Sequence, residues 1–563
     1  MKVTTDIKEK LQYYINNNED VYQFCDELVE ISNEAMQKNK EELLDYFKRA
    51  NQILVYADDD VLFLLYGLEV LICIQRKSAL DNNLIAAEKM KALRVPPVYK
   101  CIGLCDADLL DNGTRHPNLV LMKIAGFLFD NNVLFELILD PKANIDRYEH
   151  VYMSRVFTFT NLPEFYTKSI GTSDEAKFHI GGTGFYANET SIREYRKKRE
   201  EDFFRLDHDV YLNTFVNHRG GHKEKGIDMA RQMPYYHLYD AFVEKRVKAG
   251  FKRDKYKDYQ NYSIGFLTRG CVRHCPFCIN KLENQVCRYS KLEWFLDNER
   301  DEKGRLVRPY IYLWDDNFLA ADRTVWEPLL KELIATKRPF QFRQGLDERM
   351  LAQSPDGELM AQMLSQSKYH GDFIFAFDNW KDRELIERAL KIWKHYNPKK
   401  GTKFYLFCGF KLTEDSHNKF YKDIWELFQR IRVLMSYGCV GYVMRHEDYH
   451  KYEISNLYIQ IARWCNQQQF YKKMSFWEFA YRNQSYWEEH SKGITNRPHL
   501  KTFEEFEEDL NNGYYGEGKD QVKMCLPLQS VMRTLDKFPE QREELLEMFN
   551  YKMENLVNPK LWE

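Results

Sequence analysis

The spacing of apolar residues changes character four times along the chain. Up to residue 97 it is helical: apolar side chains recur at three- and four-residue intervals over 21–29 and 42–47, and 61–74 is a nearly unbroken apolar run. That run lies between Asp58-Asp-Asp60 and Gln75-Arg-Lys77 and is too short to cross a bilayer, so it reads as a buried packing helix. Pro96-Pro97 closes the pattern. Short apolar runs over 100–105, 133–138, 150–157 and 178–184 then read as strands, with a helix over 117–129 after the first. Strands alternating with helices predict a parallel α/β sheet that favours ligands at the carboxyl ends of its strands.

Residues 191–257 are charged and irregular, and His208, His218 and His222 there have no compact ligand spacing, so they read as solvated linker residues. Over 258–450 a strand followed by a helix recurs. The strand tips fall at Leu267-Thr268, 312–314, 342–343, 374–377, 405–408 and 441–444, with helices such as 326–334 and 383–391 between them. Six such strands make a partial (β/α)6 barrel with its site at the carboxyl ends. Beyond 450 the pattern is helical and aromatic again. The predicted organisation is a helical domain over 1–97, an α/β domain over 98–190, a linker over 191–257, the partial barrel over 258–450 and a helical, aromatic-rich region over 451–563.

One motif carries chemistry. Cys271, Cys275 and Cys278, in Thr268-Arg-Gly-Cys-Val-Arg-His-Cys-Pro-Phe-Cys278, form a C-x3-C-x2-C triplet. Three thiolates hold three irons of a cubane cluster and leave the fourth iron open, which is what a metal site needs in order to react with a ligand. Zinc satisfies the same count if His274 joins, although a short loop must then turn His274 and the adjacent Cys275 onto one ion. Spacing alone leaves iron-sulfur, zinc and unliganded thiols open.

Composition narrows the setting. With 82 basic and 85 acidic residues the net charge is -3, so global attraction to a polyanion is not indicated. Twelve cysteines in 563 residues are too few for a disulfide scaffold. The amino terminus lacks the apolar core of a secretory signal and no run spans a bilayer, which makes a cytoplasmic protein without membrane partners the default expectation.

The run Ile264-Gly-Phe-Leu-Thr-Arg-Gly-Cys271 followed by the triplet resembles the first strand and cluster loop of the radical S-adenosylmethionine (radical SAM) superfamily. The resemblance implies a [4Fe-4S] cluster on Cys271, Cys275 and Cys278, with S-adenosylmethionine bound to the open iron. Reductive cleavage would then give a 5'-deoxyadenosyl radical for hydrogen abstraction from a peptide, RNA or small-molecule substrate. An external donor such as flavodoxin or ferredoxin would supply the electron. Residues 98–190 resemble the Rossmann-like cobalamin-binding-like domain that precedes many such barrels. Its Asp-x-His-x-x-Gly ligand signature is missing, and His116 is offset beside Pro117, so the domain is expected to brace the barrel or position substrate rather than to bind cobalamin. The Gly181-Gly-Thr-Gly184 run reads as a tight structural turn.

Within the same resemblance, Trp314-Asp-Asp-Asn317 stands where many members carry a Gly-Gly-Glu-like run. Asp315 or Asp316 can accept from the methionine ammonium, Asn317 can donate and accept, and helix capping is the plain alternative. Gln344-Gly-Leu-Asp-Glu-Arg349 resembles the family's Gln-Gly-Leu-Asp loop. There Gln344 and Asp347 would orient ribose or substrate hydroxyls, and Arg349 would pair with a carboxylate or with Asp347. Asp378 and Arg445 complete the polar rim. Cys287 is a candidate hydrogen-atom donor or nucleophile, with a bystander thiol as its alternative. Other functions consistent with the motif are cobalamin-dependent methyl transfer, methylthio transfer to RNA or protein, and a non-catalytic iron-sulfur sensor.

Overall fold

The computed structural model describes residues 101–185, 209–211, 226–492 and 500–563, apart from 114–115, 132, 134, 279 and 281–283. The predicted helices before residue 97 and the three linker histidines lie outside the described residues. The chain is mixed α/β with parallel sheets and divides into two compact units, one from 1–265 and 290–310, the other from 266–289 and 311–563.

In the first unit a four-stranded parallel sheet runs in the order β2-β1-β3-β4, from β1 (Cys101–Asp106), β2 (Phe135–Leu137), β3 (Tyr148–Ser154) and β4 (Phe178–Gly181). Ile102 pairs with Phe135, Leu104 with Tyr152, and Met153 with Ile180. Every residue of β1 is buried, as expected for a central parallel strand. Helix α1 (Leu119–Asp130) is N-capped by the Asn118 side chain and brings Leu121, Ile124 and Leu128 into the core with Ile102, Leu104 and Tyr239. The glycine run does form a tight turn: a side chain at Gly182, where φ is +102°, would sit 2.3 Å from the Arg155 carbonyl oxygen. The same unit holds an antiparallel pair, β5 (Asp209–Tyr211) and β6 (Gly226–Asp228), followed by β7 (Tyr262–Gly265). Gly265 packs so closely under the Phe295 ring that a Cβ would lie 2.3 Å from it.

In the second unit β10 (Tyr310–Leu313) pairs in parallel with β11 (Phe340–Phe342), and β12 (Phe373–Ala376), β13 (Thr402–Cys408) and β14 (Val440–Arg445) form a three-stranded parallel sheet. Phe340 of β11 also makes a parallel bridge with Tyr369, ahead of β12. Helix α2 (Arg323–Ala335) starts at an Asp322 cap, and α3 (Arg383–Tyr396) buries Ile386, Leu390 and Trp393, whose indole N–H donates to Thr402 Oγ1 at 2.9 Å. The 20-residue α4 (His417–Ser436) buries Phe420, Ile424, Leu427 and Ile431 and packs against β13 and β14. β13 alternates strictly: Thr402, Phe404, Leu406 and Cys408 are buried, while Lys403, Tyr405 and Phe407 are half-buried on the other face. Beyond β14, Trp464, Phe476 and Phe549 form one aromatic cluster and Trp477, Phe503 and Phe506 another. Among the described residues no helix is long and apolar enough to cross a membrane.

Candidate metal centre

The three cysteines lie in the loop between β8 (Thr268–Arg269) and β9 (Cys287–Arg288), short strands paired antiparallel. Gly270 opens the loop at φ +104°, with its Cα hydrogens against the Gln285 carbonyl; a Cβ would approach that oxygen to 2.1 Å, so only glycine fits. His274 takes a left-handed φ of +50°, and the Cys278 amide then donates to the Cys275 carbonyl at 2.9 Å, closing the turn that carries the last two thiols.

The segment after β10 holds this loop. Asp315 is fully buried; Oδ1 accepts from the Thr268 amide and hydroxyl at 2.6 and 2.7 Å, and Oδ2 from the Leu267 amide at 3.1 Å. Burial pushes its carboxyl up to about 7 in spite of these bonds. Asp316 accepts from the Gly270 amide at 2.9 Å, from Arg269 Nε at 3.2 Å and from Asn280 Nδ2 at 2.8 Å. Neither carboxylate caps a helix. Both act as clamps on the backbone that presents the thiols. Asn317 goes further: its Nδ2 donates to Cys271 Sγ at 3.4 Å and to Asp347 Oδ2 at 3.2 Å, while its buried Oδ1 has no partner among the described residues.

From the loop after β11, Asp347 receives Arg273 of the cysteine loop and Arg349 Nε at 2.7 Å. Burial opposes its charge, but the two guanidinium groups outweigh it and hold the carboxyl below the ordinary aspartate range. Arg349 also reaches Asp382 at 3.2 Å, so its cation is shared between two carboxylates of the protein. Glu348 is 2% exposed; one oxygen accepts from the Ala376 amide at 3.1 Å, the other is buried without a partner among the described residues, and burial pushes this carboxyl well above the ordinary glutamate range. At the tips of β12 and β13, Asp378 accepts from the Phe407 amide at 3.2 Å, and desolvation lifts its carboxyl to about 6 against the pull of Arg430 and Arg349. Arg430, 1% exposed, donates from one nitrogen to the carbonyls of Phe377, Asp378 and Phe407. The Phe407 ring stacks on Phe277 of the cysteine loop with centroids 3.8 Å apart.

The thiols sense this surrounding. Burial raises Cys275 to about 11, with Cys278, Asp378 and Cys271 adding to the rise and Arg349 opposing it; Cys278 is raised by burial, against a bond from the Asn280 amide to its Sγ at 3.4 Å. Among the described residues no three His, Cys, Asp or Glu side chains gather around one point as ligands of a single ion. Three sulfur donors carried on one loop, with N–H donors on two of them, are a donor set that an iron-sulfur cluster would take.

The sequence-predicted residues therefore divide. Asp315, Asp316, Asn317, Asp347, Arg349 and Asp378 surround the cysteine loop. Gln344 is exposed at the start of its own loop, and Arg445 is exposed with its guanidinium 4.7 Å from the Tyr449 ring. Cys287 is exposed on β9 opposite Arg269. Arg273, Asn280, Glu348 and Arg430 also belong to this network. Glu348 sat inside the run already singled out, whereas Arg430, on a charged helix, gave no local signal. The chain matches no protein-family model and no curated protein.

Proposed function

We propose that this chain is a radical SAM enzyme that abstracts hydrogen from its substrate. The observation that supports this most is the convergence of Asp315, Asp316 and Asn317 on one three-cysteine loop. Under this reading β10 to β14 and their helices belong to a partial (β/α)6 barrel, and Cys271, Cys275 and Cys278 hold a [4Fe-4S] cluster. With S-adenosylmethionine bound, such a cluster supplies one electron to split the sulfonium and generate a carbon-centred radical.

The chain's own residues do the rest. Asp315 and Asp316 fix the loop backbone, which keeps the thiols in place without reorganisation. Asn317 Oδ1 offers a buried acceptor to an ammonium, and Glu348 offers a buried oxygen to a second polar group of the bound ligands. Arg349 is held by Asp347 and Asp382 and so orients the loop rather than waiting for a free carboxylate. Phe277 and Phe407 keep water from one side of the thiols. The substrate lies along the face of β13 and β14 where half-buried Tyr405 and the exposed Tyr442 and Met444 line up; a parallel sheet is usually covered on both faces. The sheet of the first unit is a cobalamin-binding-like domain used for support: Asp106 and Asp108 at the end of β1 are spent on its own chain, and His116 pairs with Asp258 at 2.8 Å.

The test is anaerobic incubation of the iron-reconstituted protein with dithionite and S-adenosylmethionine, followed by mass spectrometry. Cysteine-dependent 5'-deoxyadenosine is expected, absent in Cys271→Ala. An intact, reduced cluster that yields none even with cell-extract metabolites added contradicts the proposal.

A further inference from the structure

The side-chain amide of Asn317 is fixed in orientation by its neighbours. Asp347 Oδ2, 3.2 Å away, is a carboxylate oxygen and can only accept, so the NH2 end of the amide must face it. The second hydrogen of that NH2 is then directed to Cys271 Sγ at 3.4 Å, a normal length for a bond to sulfur. Asn317 is 3% exposed, so water does not compete for the donor. Asp347 is in turn held by Arg273 and Arg349, which makes the amide a rigid fixture.

An N–H donor on a thiolate withdraws negative charge from sulfur and favours the reduced, more negative state of a cluster attached to it. We infer that Asn317 is a positioning residue that sets the reduction potential of the metal group on the cysteine loop through Cys271. This rests on the cluster reading above. The Asn280 backbone amide donates to Cys278 Sγ and survives substitution, whereas the donor on Cys271 belongs to a side chain that substitution removes.

The test is an EPR-monitored redox titration of the reconstituted full-length protein and of Asn317→Leu, which keeps the shape and removes the donor. Iron and sulfide content should be unchanged. At a fixed potential near the midpoint, the reduced-to-oxidised ratio of the variant should fall at least tenfold, a shift of about 59 mV to lower potential for a one-electron couple. An unchanged midpoint with full cluster content overturns the inference and leaves the cluster reading intact. If Asn317→Leu loses the cluster, pulsed EPR on wild-type protein labelled with 15N-asparagine decides: a weak coupling to a side-chain nitrogen is expected, and its absence overturns the inference. A wild-type chain that takes up no iron and sulfide overturns both readings.

Discussion

At the end of β1 in the first unit, Asp106 accepts from the Leu109 amide and the Tyr239 hydroxyl, and Asp108 from the amides of Val156 and Phe157 and the Thr160 hydroxyl. At the end of β10 in the second unit, Asp315 and Asp316 likewise accept from backbone amides, but those amides belong to a loop carrying three thiols. Both pairs are acidic residues at the carboxyl ends of parallel strands, where fold rules favour ligands. Among the described residues the second region leaves Asn317 Oδ1 and one oxygen of Glu348 buried without partners, whereas the Asp106 and Asp108 carboxylates are taken up by their own chain. Acidic strand ends are therefore weak evidence of a site by themselves, because a loop can use them up. Soft ligands together with unspent buried polar atoms are the stronger sign.

Substituting a ligand separates the regions most sharply. Cys271→Ala should abolish cluster uptake in reconstitution, read by iron and sulfide analysis, while His116→Ala in the first unit should leave uptake at the wild-type level. Matched clamp deletions come next. Asp108→Ala and Asp315→Ala each strand two amides and a hydroxyl, and each should destabilise its unit on the order of 3 kcal/mol in thermal melts. Asp315→Ala alone should also lose most of the cluster. Equal cluster loss in both variants would erase the distinction drawn between the two strand ends.

A gentler probe is pH. Burial raises the Asp106 carboxyl from 3.8 to about 7, with the Tyr239 and Leu109 bonds opposing the rise. The folded chain thus keeps a proton that the unfolded chain releases. The stabilisation is full below about pH 4 and is lost as pH climbs toward 7. Asp106→Asn has no such proton to lose, so its melting temperature should gain on the wild type between pH 4 and 7 and run parallel above that. The smallest effects belong to exposed candidates: Cys287→Ser and Arg445→Ala should change stability by less than about 0.5 kcal/mol. A large loss of turnover in Cys287→Ser with stability unchanged would instead give that thiol a chemical role.

The cysteine loop was legible because its ligands are seven residues apart end to end and need no tertiary knowledge. The strands of the parallel sheets were legible from their apolar runs, but the short pair Asp209–Tyr211 and Gly226–Asp228, within residues read as an irregular linker, was not. The first strand was expected to reach Leu267-Thr268, but β7 stops at Gly265, and Thr268 enters the separate hairpin of β8 and β9. Asp315 takes the amides of Leu267 and Thr268, a pairing across 47 residues or more that no local pattern reveals. The same separation hid the direction of Asp315 and Asp316, whose carboxylates looked suited to a ligand ammonium and are engaged by backbone. Arg430 was hidden for another reason. A cation on an amphipathic helix reads as solvated, and only the packing of α4 shows it buried among the carbonyls of Phe377, Asp378 and Phe407.

The most direct test of the central claim is Mössbauer spectroscopy of the 57Fe-reconstituted protein with and without S-adenosylmethionine. The account predicts a four-iron cluster in which one iron changes its spectrum on adding S-adenosylmethionine, and no cluster in Cys271→Ala. Zinc bound in place of iron, or a cluster whose irons all stay unchanged when S-adenosylmethionine is added, would contradict it.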